Sequence, residues 1–354
     1  MMTASSLRDE RSADIRDLGV GIGWYGSPCN CRCRHCSLES GKRADTVPFE
    51  RAEALAEKFV RWLEAQGIED FPVDIIFGYS PDSPEFVQCT EFNLKHGATG
   101  RFVPVNGMRF KTDEELKDLF LSFREIGVTG VGVTFYGLRD LHDRWAGREG
   151  DFDYTLQVAE KAAECGIERS ESILLSREAL PDLRALIDLL DPTPGRKGRH
   201  ICPWDYRGRG KNLENERITA SEISGLPGRV KEFINLDGWR SYKPEGEWVE
   251  TIGSGEFRRK TSRYYIVSVW QDNIEHLESA DCGRVLQEIR ETDEGFYQAI
   301  PSLSALAELY GRRSGDRIYS LRDLEWKWTD CYAAEHPGVF AAPRGSLGAY
   351  CLRK

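Results

Sequence analysis

The chain has 354 residues with a formal net charge of -10 and a pI near 5.3, which argues against a general polyanion binder while leaving local basic patches open. Its 40% hydrophobic content suits a large folded core, on the scale of one barrel-like domain plus an appended one. No apolar run approaches the ~20 residues of a membrane span, and the polar stretch from Met1 to Arg11 lacks the apolar segment of a secretory signal, so a cytoplasmic location with reduced thiols is expected.

Residues 1–16 read as a flexible N-terminus. Leu18 to Trp24 (Leu-Gly-Val-Gly-Ile-Gly-Trp) places apolar residues two apart between glycines, the pattern of a first strand. The loop after it follows the C-terminal end of the strand, where parallel α/β folds present their ligands. That loop, Cys29-Asn-Cys-Arg-Cys-Arg-His-Cys36, holds four of the ten cysteines. Cys29, Cys33 and Cys36 form C-x3-C-x2-C, and thiolates this close on one loop are well placed to wrap a metal centre. A closed structural zinc site normally uses four protein ligands, whereas three cysteines on a 4Fe-4S cluster leave one iron open to a small molecule. A zinc knuckle completed by Cys31 or His35 is the competing reading, weakened because no second C-x2-C or H-x3-5-H follows. A disulfide framework fits less well still, since four crowded cysteines in a long chain are not a secreted pattern.

Phe49, Ala52, Leu55, Ala56, Phe59, Val60 and Leu63 recur at helical spacing between Pro48 and Gly67. Val73 to Gly78 is the predicted second strand, and Arg101 to Val105 the third, running into Asn106-Gly107. A helix follows over Asp113 to Ile126, then a fourth strand over Gly127 to Phe135 and a loop from Tyr136 to Phe152. Tyr154 to Cys165 is a helix, Glu171 to Ser176 the fifth strand, Pro181 to Leu190 a helix and His200 to Trp204 the sixth strand. Six alternating units predict an α/β fold, a partial six-unit parallel (β/α) barrel over residues 17–211. The rhythm then changes, and residues 212–354, with a strand-like Tyr264 to Trp270 and helices near 283–289 and 303–310, read as a C-terminal α+β accessory domain that caps the site.

The cysteine spacing, beginning with Cys29-Asn30, resembles the signature of the radical S-adenosylmethionine (radical SAM) superfamily. The branch that matures peptides and other natural products is similar in its fourth strand and loop, here Thr134, Gly137, His142-Asp143 and Gly147-Arg148-Glu149-Gly150. The resemblance implies an open six-unit barrel and a 4Fe-4S cluster held by Cys29, Cys33 and Cys36. It also implies S-adenosylmethionine (SAM) on the open iron and a 5'-deoxyadenosyl radical that abstracts a substrate hydrogen atom.

The same resemblance assigns the cofactor pocket residue by residue. His35 would lie against the adenine. Gly78 keeps the first glycine of a Gly-Gly-Glu loop whose other members are missing, leaving Ser80, Asp82, Glu85 or backbone carbonyls near the SAM ammonium. Asn106 and Gly107 match a Thr-Asn-Gly pattern with Val105 in first place. Thr134 would face the ribose or carboxylate, and Arg148 would clamp the carboxylate; apart from the resemblance, Ser176 or Arg177 is a cofactor candidate only by its place at the end of the fifth strand. Each also has an ordinary reading as a turn or solvated loop residue. Cys89, Cys165, Cys202, Cys282, Cys331 and Cys351 are scattered without a C-x2-C, so one cluster is expected. Cys202 and Cys282 are candidate hydrogen-atom donors, against packing as the bland alternative. The implied partners are a small-molecule substrate of sugar or nucleoside type, or alternatively a ribosomal peptide, and an electron donor such as flavodoxin or ferredoxin. Neither nucleic acid nor membrane is expected. A non-catalytic zinc or iron-sulfur module is the reading from another class.

Overall fold

The structure, a computed structural model, describes residues 15–24, 29–36, 47–68, 71–77, 83–96, 102–234, 236, 241–254 and 261–338. Strand β1 (Ile15–Trp24) buries Val20, Ile22 and Trp24 against α1 (Phe49–Ala65), whose Ala52, Leu55, Ala56, Phe59 and Leu63 form the facing stripe. The helix begins after Pro48 and stops before Gly67, which takes a φ of 66° that side chains resist. β2 (Val73–Phe77) pairs parallel with β1, and α2 (Phe86–Lys95) is locked to it because Asn93 bonds both backbone groups of Ile75, at 2.7 and 2.9 Å.

β3 (Phe102–Pro104), α3 (Asp113–Glu125), β4 (Gly130–Phe135), α4 (Arg139–Ala146), α5 (Asp151–Glu164), β5 (Glu168–Leu174), α6 (Leu183–Leu190) and β6 (Arg196–Cys202) continue the alternation. The four strands form one parallel sheet in the order β3-β4-β5-β6. Val131, Val133, Phe135, Ile173 and Ile201 face the covering helices and belong to one apolar cluster with Phe120, Phe123, Val158 and Leu186. The α/β class and the six parallel strands of the partial barrel agree with the sequence expectation.

Several boundaries differ: β1 opens at Ile15, inside the expected flexible N-terminus, β4 opens at Gly130 rather than Gly127, α2 is not among the expected elements, and β5 and β6 differ for a physical reason. β5 and β6 each start earlier than expected because their first turns outward carry charge: Glu171 (0% exposed) lies between Arg169 and Arg199 on the helix side, with N···O distances of 2.7 and 2.5 Å. Mutual neutralisation lets ionised groups occupy positions where periodicity looks for apolar ones. The expected loop from Tyr136 to Phe152 contains α4, whose charged outer face hides the buried Leu141, His142 and Trp145.

Beyond β6 come a 3-10 segment (Gly208–Glu216), α7 (Ala220–Ser224), α8 (Gly228–Lys231), β7 (Tyr242–Pro244), α9 (Glu245–Gly253) and β8 (Thr261–Ser268). α10 (Ile274–Ser279), α11 (Cys282–Ala299), α12 (Leu303–Tyr310), β9 (Ile318–Ser320) and α13 (Leu321–Glu335) follow. α9, α12 and α13 surround a separate small core of Trp248, Ile252, Leu306, Tyr319 and Trp328, beside the antiparallel pair β7-β9. β8 departs from this accessory part. It pairs parallel with β1, Gly19 opposite Tyr264 through Gly23 opposite Ser268, and completes the sheet β2-β1-β8. Among the described residues no helix is long and apolar enough to cross a membrane.

Candidate metal centre

The cysteine loop sits where β1, β3 and β4 end, and backbone atoms pin it from several sides. Asn30 N and Nδ2 both donate to the Gly107 carbonyl, at 2.9 and 3.1 Å, tying the loop to the end of β3. Arg32 N donates to Ala146 O (2.7 Å) and Arg34 N to Trp145 O (2.8 Å), using carbonyls at the C-terminus of α4 that the helix leaves free. From the other side Arg209 clamps the loop: its N–H donates to Cys36 O at 3.0 Å, and its guanidinium to the carbonyls of Arg32 and Cys33 at 3.2 and 3.4 Å. Two glycines permit this approach. A Cβ on Gly107 (φ +87°) would fall 2.1 Å from Cys29 Sγ, and one on Gly147 (φ +63°) 2.7 Å from Arg32 Cβ.

Inside the loop the sulfurs lie close enough to bias one another's ionisation, and Cys31 N donates to Cys29 Sγ at 3.4 Å. Cys31 is 2% exposed, with its sulfur 3.8 Å from both carboxylate oxygens of Asp151. The Cys31 hydrogen bond brings the Cys29 thiol down to about 7 against the opposing effect of burial. The same donor, helped by the Tyr136 hydroxyl 3.5 Å away, lowers Cys33. Burial, then the neighbouring Cys33, pushes the Tyr136 phenol well up.

Asp151 (1% exposed) organises the layer beneath. It accepts from Arg148 Nε at 2.8 Å, from Arg148 Nη2, and from His142 Nε2 at 3.1 Å. Burial opposes its ionisation, but the His142 bond and the Arg148 charge hold its carboxyl below the usual range. His142 Nδ1 accepts from Tyr136 N (3.3 Å), which places the ring proton on Nε2, facing Asp151. Asp143 accepts from the N–H groups of Gly150 and Phe152, at 2.7 and 2.8 Å, and so caps the start of α5.

The structure brings several expected cofactor residues together, often with their polar atoms already engaged. Arg148 is committed to Asp151 and the Met108 carbonyl and lies over Phe110 and Tyr154; with Asn106 and Gly107 it lines a shallow surface recess. The Asn106 amide stitches β3 to β4 through Thr134, accepting from its N–H at 2.7 Å and donating to its carbonyl at 3.1 Å. Ser176 is 1% exposed and its Oγ accepts from Ala179 N, so it closes a turn. Arg177 pairs with Glu222. His35 packs against Tyr136 and Trp145, with ring centroids 5.1 and 6.2 Å apart, and burial drives its pKa down to about 4. Glu85 accepts a bond from Ser83 ahead of α2, whereas Gly78, Ser80 and Asp82 lie outside the described residues.

Cys202 ends β6, half-buried, opposite Leu174. Cys282 is not brought to the cysteine loop. It opens α11 in the β1-α1 core, its sulfur 3.8 Å from Lys58 O, and burial raises its thiol to about 11. Tyr136, Trp145, Asp151 and Arg209 escaped the sequence reading. Tyr136 carried a usable signal, since it directly follows a predicted strand end, while nothing local marked the others.

The donor chemistry suits an iron-sulfur cluster. Cys29, Cys33 and Cys36 are unbridged thiols, two have lowered pKa values, and Gly107 keeps clear the space against Cys29 that a Cβ would fill. Among the described residues no three Cys, His, Asp or Glu side chains already converge on a metal position, so the three thiols would turn toward one another on binding.

No protein-family profile matches the chain. The Fe-coproporphyrin III synthase of Methanosarcina barkeri is 25% identical over 196 residues, 55% of this chain and 46% of that protein. The AdoMet-dependent heme synthase of Oleidesulfovibrio alaskensis is 24% identical over 199 residues, 55% of this chain and 47% of its own. The chain thus spans about half the length of the curated relatives it matches. Among solved structures, native anSMEcpe with bound AdoMet aligns with 90% of this chain and 97% of its own at 13% identity and a TM-score of 0.46.

Proposed function

We propose, from the premise that this chain belongs to the radical SAM superfamily, that Cys29, Cys33 and Cys36 hold a 4Fe-4S cluster whose remaining iron takes SAM. The chemistry these two groups supply is one-electron cleavage of a sulfonium, giving a carbon radical that removes a hydrogen atom from substrate. A small reductant protein such as flavodoxin or ferredoxin supplies the electron. The chain's own residues carry the rest. The carbonyls of Gly107, Trp145 and Ala146 fix the loop, and the Cys31 and Tyr136 donors stabilise thiolates on Cys29 and Cys33. His35, Tyr136 and Trp145 form an apolar wall that keeps water from the cluster side.

The observation that carries this reading is the C-x3-C-x2-C loop, with two thiols already lowered, at the C-terminal ends of a parallel sheet. The substrate is a small polar metabolite. A second reading, a tetrapyrrole substrate, is favoured by the names of the two curated relatives. Anaerobic reconstitution with iron and sulfide, followed by SAM and dithionite, tests the proposal. About four irons per chain and release of 5'-deoxyadenosine support it, both lost in the Cys29→Ala, Cys33→Ala, Cys36→Ala triple variant. One tightly held zinc and no nucleoside product refute it.

A further inference from the structure

We propose that Asp323 is a positioning residue for the metal centre: from the accessory part it holds residues 204–211, and through them it fixes Arg209 on the cysteine loop. The inference rests on the reading of that loop as the seat of the cluster and names what steadies it from outside the barrel. Three consecutive residues after β6 each meet the first turns of α13. Arg322 Nη2 donates to Asp205 Oδ2 at 2.9 Å, Asp323 Oδ1 accepts from Tyr206 N at 2.9 Å, and the Arg207 guanidinium lies 5.5 Å from the centre of the Trp326 ring. Lys211 then pairs with Asp330, one turn further along the same helix. Arg209, in the middle of this row, is the residue that bonds the carbonyls of Cys36, Arg32 and Cys33.

The row is stiff enough to carry a displacement. Trp204 Nε1 donates to the Gly210 carbonyl at 3.2 Å, Gly210 N donates to Arg207 O at 2.9 Å, and a Cβ on Gly210 would fall 2.5 Å from the Asp205 carbonyl oxygen. A turn packed this closely moves as a unit, so a shift at Tyr206 reaches Arg209 three residues on. Arg217 holds the other end. It is fully buried, donates to the carbonyls of Trp204 and Ile318, and lies between the rings of Trp204 and Tyr319, at 5.1 and 4.4 Å.

Asp323 is the member whose presence packing does not explain. It is 0% exposed, and burial raises its pKa against the pull of Arg217, whose Nη1 stands 3.6 Å from Oδ2. Among the described residues Oδ2 has no hydrogen bond, and a buried carboxylate so thinly paired costs more than an apolar side chain of its size. Helix capping does not account for it either. Ser320 caps α13 by accepting from Asp323 N at 3.2 Å, but the carboxylate takes its bond from Tyr206 N instead of turning back to the cap as a capping box would. What Asp323 supplies is one acceptor for the backbone of the segment that bears Arg209.

The test reads the loop with and without metal. Alkylation of Cys33 and Cys36 by iodoacetamide is followed by peptide mass spectrometry in the metal-free full chain, and iron release to a chelator in the reconstituted one. Asp323→Ala should speed both several-fold. Asp323→Asn should stay near wild type, because its amide oxygen still accepts from Tyr206 N and Arg217 keeps Glu214. Leu306→Ala, a change in the small core that α12 and α13 share, should alter neither rate. Trp326→Leu, at a half-exposed site, should give a smaller rise in the same direction, and it serves if Asp323→Ala does not fold. On the Arg209→Ala background Asp323→Ala should add less than its own factor, since the two act on one contact. Equal acceleration by Leu306→Ala, no rescue by Asp323→Asn, or effects that simply multiply overturn the assignment. Failure to assemble a cluster or to form 5'-deoxyadenosine sinks the radical SAM reading instead and leaves the alkylation result standing.

Discussion

Gly107→Ala isolates the contact on which the metal centre is built. Gly107 has φ +87°, where an L side chain costs roughly 1–2 kcal/mol. The added Cβ would also lie 2.1 Å from Cys29 Sγ, so sulfur or backbone must give way by an ångström or more. Gly127→Ala is the control, since Gly127 has φ +90° but its Cβ would meet only Leu94 Cδ1 at an ordinary 3.7 Å. Both variants should lose about 1–2 kcal/mol and a few degrees in Tm to the backbone conformation, and Gly107→Ala more, because Cys29 must also give way. Only Gly107→Ala should also lose iron and sulfide after anaerobic reconstitution, together with the charge-transfer absorbance of the cluster. Equal iron content in the two variants would mean that Cys29 is free to leave Gly107, and the proposed ligand geometry would be wrong.

Other consequences are measurable. Arg209→Ala keeps the backbone bond to Cys36 but removes the guanidinium from the Arg32 and Cys33 carbonyls. Iron release to a chelator should accelerate several-fold, as expected for ~1 kcal/mol, and an unchanged rate counts against the clamp. Glu171→Ala takes away the carboxylate partner of Arg169 and leaves Arg199 with Asp191 alone, and should cost about 3 kcal/mol in urea unfolding; a loss within experimental error refutes that accounting. Burial opposes ionisation of Asp191, yet Arg196 and Arg199 hold its pKa down to about 2, from an ordinary 3.8. Because the folded value is the lower, the stabilisation is present above the ordinary value and fades as pH falls through about 2. The Tm difference between wild type and Asp191→Asn should shrink over that interval and stay flat above pH 5 or so.

Legibility followed what a local pattern can encode. β1, α1 and β4 were readable because their outward residues are apolar at period two or at helical spacing. The beginnings of β5 and β6 were not, because Arg169, Glu171 and Arg199 occupy outward positions and neutralise one another only once the strands are side by side. Tyr264 to Trp270 looked like a strand, but its place beside β1 depends on a pairing across some 245 residues that no local period records. At the site, the three cysteines announced themselves. Arg148 pointed to a carboxylate, and the structure supplies one from the chain itself, in Asp151.

The cysteine loop explains why so little around it could be read. Four of its anchors run between backbone atoms, from Asn30, Arg32 and Arg34 outward and from Arg209 inward, and any side chain except proline could furnish those N–H groups. Such contacts leave a mark in sequence only where the backbone must come unusually close, and there the mark is a glycine: Gly107 against Cys29 and Gly147 against Arg32. A loop held this way is positioned by the ends of β3 and α4 and by the segment after β6. Its sulfurs are then tuned from below by Cys31, Tyr136 and Asp151. A proline at position 32 removes the N–H bond to Ala146 and should abolish cluster loading, whereas Arg32→Ala removes only the guanidinium bonds to the Cys29 and Cys31 carbonyls and should weaken loading far less.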